Sequence, residues 1–176
     1  MKQILKKLTQ LGAAALFFTS SLSASAWAGT MILTSEDISH GDFMGKAHEF
    51  QGFGCTGEDK SPQLSWSGAP KDTKAFAVFA YDPDAPTGSG WWHWQLINIP
   101  ADVTSLATGT GKKDPAKLPK GSMQMRNDYG AHAFGGACPP EGDGAHRYQL
   151  SYLRGVRPAA LRFFSIHSRI LSGYGV

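Results

Sequence analysis

Hydrophobic and polar positions along the chain fall into short runs. Residues 63–67, 74–81, 94–99 and 146–152 are rich in β-branched and aromatic side chains, and clusters of Gly, Pro and Asp separate them. Residues 75–81 are apolar without alternation, the pattern of a central strand covered on both faces, and Pro83 stops the run before a helix could form. The spacing predicts a mainly β chain built on antiparallel strands. Residues 107–121 are polar and carry Lys112, Lys113, Lys117 and Lys120, which reads as a long surface loop, exposed and mobile. A phosphate-binding loop at 109–113 is excluded, because Leu106 and Lys113 stand where that pattern needs Gly and Ser or Thr.

A secretory signal precedes these runs. Lys2, Lys6 and Lys7 are followed by an apolar stretch at 11–18 and by small residues ending Ala26-Trp27-Ala28, an A-x-A cleavage site. The mature chain is expected to start near Gly29. Thr19, Ser20 and Ser21 interrupt the apolar run short of the roughly 20 residues that a membrane anchor needs. The expectation is a soluble exported product, periplasmic or extracellular, whose remainder suffices for one domain with a real core. Charge changes the picture at one place. The net +3 of the chain resides in the signal lysines, and residues 145–176 hold five Arg and no acid while all 14 acidic residues lie before them.

Cys55 and Cys138 are the only cysteines. In an exported chain an even pair points to a disulfide and not to zinc, which usually takes three or four protein ligands. Such a bond would tie the loop at 52–62 to the loop at 135–140.

Two segments concentrate chemistry. Asp82-Pro83-Asp84-Ala85-Pro86 holds two carboxylates on a turn made rigid by prolines, and Trp91-Trp92-His93-Trp94 follows. Strand alternation puts Trp92 and Trp94 on one face, Trp91 and His93 on the other. The second segment is Gly135-Gly136-Ala137-Cys138-Pro139-Pro140, then Gly142-Asp143-Gly144, then His146-Arg147-Tyr148. Its glycines, Gly136 among them, are expected to expose backbone N–H groups as an anion nest. His146 and Tyr148 share one strand face and point into one cavity, with Arg147 turned away. Taken singly, an Asp capping a turn or a His at a strand start is an ordinary structural group. The density of acids, imidazoles and indoles in two short segments favours one anion-binding pocket.

The motifs Asp82-Pro83-Asp84-Ala85-Pro86, Trp91-x-His93 and Gly-x-x-Pro-Pro-x-Gly-x-Gly-x-His146-Arg147-Tyr148, with Phe53-Gly54-Cys55, Ser61-Pro62 and Arg126-Asn127-Asp128, resemble the phosphatidylethanolamine-binding protein family in its bacterial Raf-kinase-inhibitor-like branch. The resemblance spans about residues 31–152. It implies a large antiparallel sheet packed on a smaller one with few short helices, and a pocket for phosphate-like anions lined by Asp82, Trp91, His93, Pro139, Pro140, His146 and Tyr148, with Asp84 and Gly136 nearby. The implied ligand is a phosphate-containing small molecule or a phospholipid headgroup, with no cofactor and no metal. A protein partner to be inhibited is implied by the family name alone. No nucleic acid and no transmembrane anchor are expected. Two imidazoles, a phenol and N–H groups are potential donors to a tetrahedral anion, with Asp82 holding a neighbouring group or a ligand ammonium. Binding is expected to strengthen as pH falls through about 6.5.

Rival readings are fewer. Asp82, Asp84, His93 and His146 could hold a divalent metal for a hydrolase, although no HExxH-type spacing occurs and no G-x-S-x-G elbow marks a serine nucleophile. Trp91, Trp92 and Trp94 could form a sugar-binding surface. The domains expected are a signal at 1–28, a binding domain at 29–152 and an atypical tail at 153–176, which departs from the family after Tyr152. The tail reads either as a helix from Pro158 carrying Leu161, Phe164 and Leu171 on one face, or as a segment unselected for the domain, as after a shifted reading frame. The second reading is preferred and leaves an incomplete core and an exposed sheet edge.

Overall fold

The computed structural model describes residues 31–157, 160–162 and 168–172, with side chains through Gly155. The segment expected to be a secretory signal, with its expected cleavage site, and Phe164 lie outside the described residues. The first strands are β1 (Ile32–Thr34), β2 (Gln51–Gly52), β3 (Cys55–Thr56) and β4 (Leu64–Ser67). Next come β5 (Ala75–Asp82), β6 (Trp91–Pro100), β7 (Ser105–Leu106) and β8 (Met123–Gln124). The last strands among the described residues are β9 (His146–Arg157), β10 (Ala160–Arg162) and β11 (Ser168–Ser172). The helical segments among the described residues are two 3-10 turns, Lys46–His48 and Pro115–Lys117. All four runs marked by the hydrophobic pattern are strands, and two of them extend further, to include Trp91–Pro100 and His146–Arg157.

The large sheet runs β10-β9-β5-β6-β8 with β11 also on β9, and the small sheet runs β1-β4-β7, all antiparallel. β5 is central because its residues are apolar on both faces, so neither side needs water. Phe76, Val78 and Ala80 face the small sheet, where Trp66 of β4 meets the Phe76 ring edge-on at 5.4 Å and lies over Tyr152 of β9 at 6.2 Å. This aromatic seam joins the two sheets. The core continues through Leu64, Leu96, Ile99 and Leu150.

Two expectations are overturned. The helix from Pro158 is contradicted, since 160–162 and 168–172 are strands. β11 pairs with His146 to Leu150 and β10 with Arg154 to Arg157, so backbone pairing covers the two ends of the β9 edge that was expected to stand exposed. The physical reason is the unpaired N–H and C=O row that β9 presents, which a following segment satisfies better as strand than as helix. In the loop at 107–121 the four lysines are exposed as expected, but 109–111 is buried: Gly109 donates to the Ser61 carbonyl at 2.7 Å and Gly111 to Ser61 Oγ at 2.8 Å.

Candidate functional site

Cys55 and Cys138 form the expected disulfide, with a Cα separation of 6.0 Å across 83 residues of sequence. Beside it the 135–138 loop is stitched to residues 48–50: Phe50 donates to the Ala137 carbonyl at 2.9 Å and Ala137 to the His48 carbonyl at 3.0 Å. The loop is therefore fixed as one wall of a cleft.

Its glycines serve packing. The Gly135 N–H is taken by the His93 carbonyl at 2.9 Å, the Gly136 N–H by Asp59 Oδ1 at 2.6 Å and the Ala137 N–H by His48. At Gly135 and Gly136 the expected anion nest does not form, because these donors are already engaged. A Cβ on Gly135 would lie 2.3 Å from the Tyr129 ring, and one on Gly136 would lie 2.3 Å from the Glu49 backbone, so only glycine permits these approaches.

β6 carries a β-bulge at His93: Trp94 pairs with Ala80 and Trp92 with Tyr81, leaving His93 as the extra residue. A bulge re-aims side chains, so simple alternation fails here. Trp91 and His93 do point into one cavity. Trp92 and Trp94 are split between faces. Trp94 is fully buried against Phe134, and Trp92 is partly exposed beside Phe79 and Tyr81. Three indoles on opposite faces make no common sugar-binding surface. Asn127 and Asp128 pin the bulged strand, the first donating through Nδ2 to the His93 carbonyl at 3.2 Å, the second accepting the Trp92 N–H at 2.7 Å.

The cavity, about 180 Å³, is lined by Asp82, Trp91, His93, Pro140, His146 and Tyr148 from the expected set, together with Phe53, Tyr129, Cys138 and the turn residues Ala85, Pro86 and Thr87. Of the seven expected lining residues, Pro139 is the exception: it is buried and does not line the cavity. Gly136 stands behind the wall, its carbonyl accepting from His93 Nδ1 at 3.1 Å and from the Tyr129 hydroxyl at 2.9 Å. Tyr129 was invisible to spacing arguments; its ring meets those of Trp91 and His93 edge-on at 5.3 and 5.5 Å. A clue lay in its position directly after Arg126-Asn127-Asp128.

The two imidazoles are held differently. His93 Nδ1 donates to the carbonyls of Gly135 at 2.8 Å and Gly136, while among the described residues no hydrogen bond engages its Nε2. Burial pushes its pKa below the ordinary histidine value, the carbonyls and Asp82 only partly opposing. His146 Nδ1 bonds Asp82 Oδ2 at 2.7 Å, and its Nε2 faces the Asp143 carboxylate at 3.4 Å. Asp82 spends its other oxygen on the Asp84 N–H at 2.9 Å, so of the two roles expected for it, holding a neighbouring group or a ligand ammonium, the geometry fits the first. Asp84 turns out of the cavity onto Arg147, accepting from its N–H at 2.8 Å and from its guanidinium, which holds the Asp84 pKa at about 2. With Asp84 so engaged, the four residues of the hydrolase reading do not converge. Among the described residues no group of three or more His, Cys, Asp and Glu is placed to hold a metal ion, and that reading has no support.

Residues 34–154 match the family model described as phosphatidylethanolamine-binding protein. Over 129 residues the chain is 55% identical to YbcL of Escherichia coli strain K12, covering 73% of this chain and 70% of that protein. YbhB of the same strain is 48% identical over 118 residues, covering 67% of this chain and 73% of YbhB. The crystal structure of E. coli YbcL, described as a new member of the mammalian PEBP family, superposes with a TM-score of 0.77 at 42% identity, covering 82% of this chain and 99% of that one.

Proposed function

The chain belongs to the phosphatidylethanolamine-binding protein family, and on that premise we propose that its cavity binds the phosphate group of a small molecule or phospholipid headgroup. The protein acts by binding and not by turnover, and it does so after export, where the disulfide persists.

The observation that carries this reading is His93. Its ring is buried at the cavity, one nitrogen is fixed by two carbonyls, and the other is left for a ligand. Trp91 adds a buried indole N–H that has no hydrogen-bond partner among the described residues, on the same lining. With the Nδ1 proton committed to carbonyls, Nε2 becomes a donor when the ring takes up a second proton; that donor and the Trp91 N–H, against an apolar wall of Phe53, Pro86 and Pro140, suit an oxyanion carried on a larger group. Calorimetric titration with inorganic phosphate tests it. Binding by the parent protein and a loss of at least about tenfold in His93→Ala, the scale of one charge-assisted hydrogen bond, are expected. Equal affinity in both proteins would move the site elsewhere.

A further inference from the structure

Asp143 is the acid that the pocket does not explain. It sits between Gly142 and Gly144 in a loop where neither glycine has a neighbour within reach of an added Cβ, and Gly142 has φ +88°. Its side chain is 42% exposed, yet its carboxylate points back at His146 Nε2. His146 is buried and its other nitrogen is committed to Asp82, so Nε2 is the edge of this ring through which an external anion could be bound. In the structure that edge faces a carboxylate of the protein itself.

We propose that Asp143 is the specificity-determining residue of the pocket: its carboxylate competes with the ligand for His146 Nε2 and must swing outward before an anion reaches that ring. The inference rests on the anion-binding reading above. The energetic logic is a competition between like charges. At 3.4 Å the contact is longer than a good N–H···O bond, and Asp143 is half in water, so displacing it costs little. A ligand of higher charge density than one carboxylate, such as a phosphate dianion, wins the exchange. A monocarboxylate gains no more than Asp143 already provides, and is rejected. Two glycines flanking the acid supply the backbone freedom for the swing.

The test compares the full chain with Asp143→Asn and Asp143→Glu, titrated with inorganic phosphate and with acetate, while the imidazole nitrogens are followed by NMR. Asn keeps the shape and removes the competing charge, so phosphate should bind about fivefold tighter, the scale of a half-solvated charge contact. Acetate should become a detectable ligand, and the His146 Nε2 resonance should move while that of His93 stays. Asp143→Glu retains a carboxylate and should behave like the parent. If the parent binds phosphate and Asp143→Asn binds it no tighter, the competition is wrong and the pocket reading stands. If neither protein binds phosphate, both readings fall together.

Discussion

The two walls of the pocket hold chemically similar imidazoles by opposite means. On the Gly135–Cys138 side, His93 rests on neutral carbonyls, and everything around it is anchored by backbone pairing and the disulfide. On the side of the Asp82–Thr87 turn, His146 lies between carboxylates, and Asp82, Asp84 and Arg147 form a chain of charged partners. Neutral acceptors in a buried setting favour an uncharged ring. Carboxylates at both nitrogens give His146 internal anions in the places a ligand would take. A family motif that spells two histidines thus encodes two different electrostatic environments, and only one leaves a nitrogen open.

Removing the covalent anchor of the first wall should have the largest effect. With 83 residues between its cysteines, the disulfide contributes up to about 4 to 5 kcal/mol on the chain-entropy model. The Cys55→Ser, Cys138→Ser double variant should lose most of that in urea denaturation. A loss below about 1 kcal/mol would mean that the backbone pairing at Phe50 and Ala137 holds this wall unaided.

Matched deletions should separate the walls next. Asp82→Ala strips a buried carboxylate and leaves both the Asp84 N–H and His146 Nδ1 without their acceptor, at a cost of about 3 kcal/mol. Asp59→Ala on the opposite wall frees only the Gly136 N–H, at about 1 kcal/mol. Equal costs in denaturant titrations would erase the distinction between ionic and neutral wiring.

The smallest effects come from pH. Native His93 resists protonation while the unfolded ring takes a proton near pH 6.5, so its contribution to stability is full above about 6.5 and declines as pH falls below it. Anion affinity moves the other way in the same window, because a protonated His93 donates through Nε2. Sulfate, whose charge is constant here, should bind tighter as pH drops below about 6.5, a window lower than a free histidine would set. A His93→Gln protein should show neither slope. Further down, Asp84, held at about 2 by Arg147 against about 3.9 unfolded, adds stability that is complete above about pH 4 and lost towards pH 2. Thermal melts of Asp84→Asn should differ from the parent above pH 4 and converge at pH 2, by a small amount because the pair is part-exposed.

Much of this architecture was legible in the residues. Runs of β-formers between Gly, Pro and Asp gave four strands of the two main sheets, since a strand bounded by breakers is a local property. The family resemblance implied seven lining residues, and six of them line the cavity; the local patterns that pointed the same way, the prolines around Asp84 and the alternation of His146 and Tyr148, act over a few residues. Alternation misled at Trp92 and Trp94, where the bulge at His93 inserts a residue that the pattern does not announce. Glycine richness misled at Gly135 and Gly136, where the same letters that permit an anion nest also permit close packing on Tyr129 and Glu49.

What the sequence by itself determined is therefore the inventory: the strands, the cysteine pair and the side chains that gather at one end of the large sheet. What only the tertiary structure decided is which of those groups is already engaged. His93 meets its carbonyl acceptor 42 residues away, His146 meets Asp82 across 64 residues, and the Gly136 N–H meets Asp59 across 77. No local pattern encodes such partners, because a hydrogen bond is satisfied by distance and angle in space, and proximity along the chain is irrelevant to it.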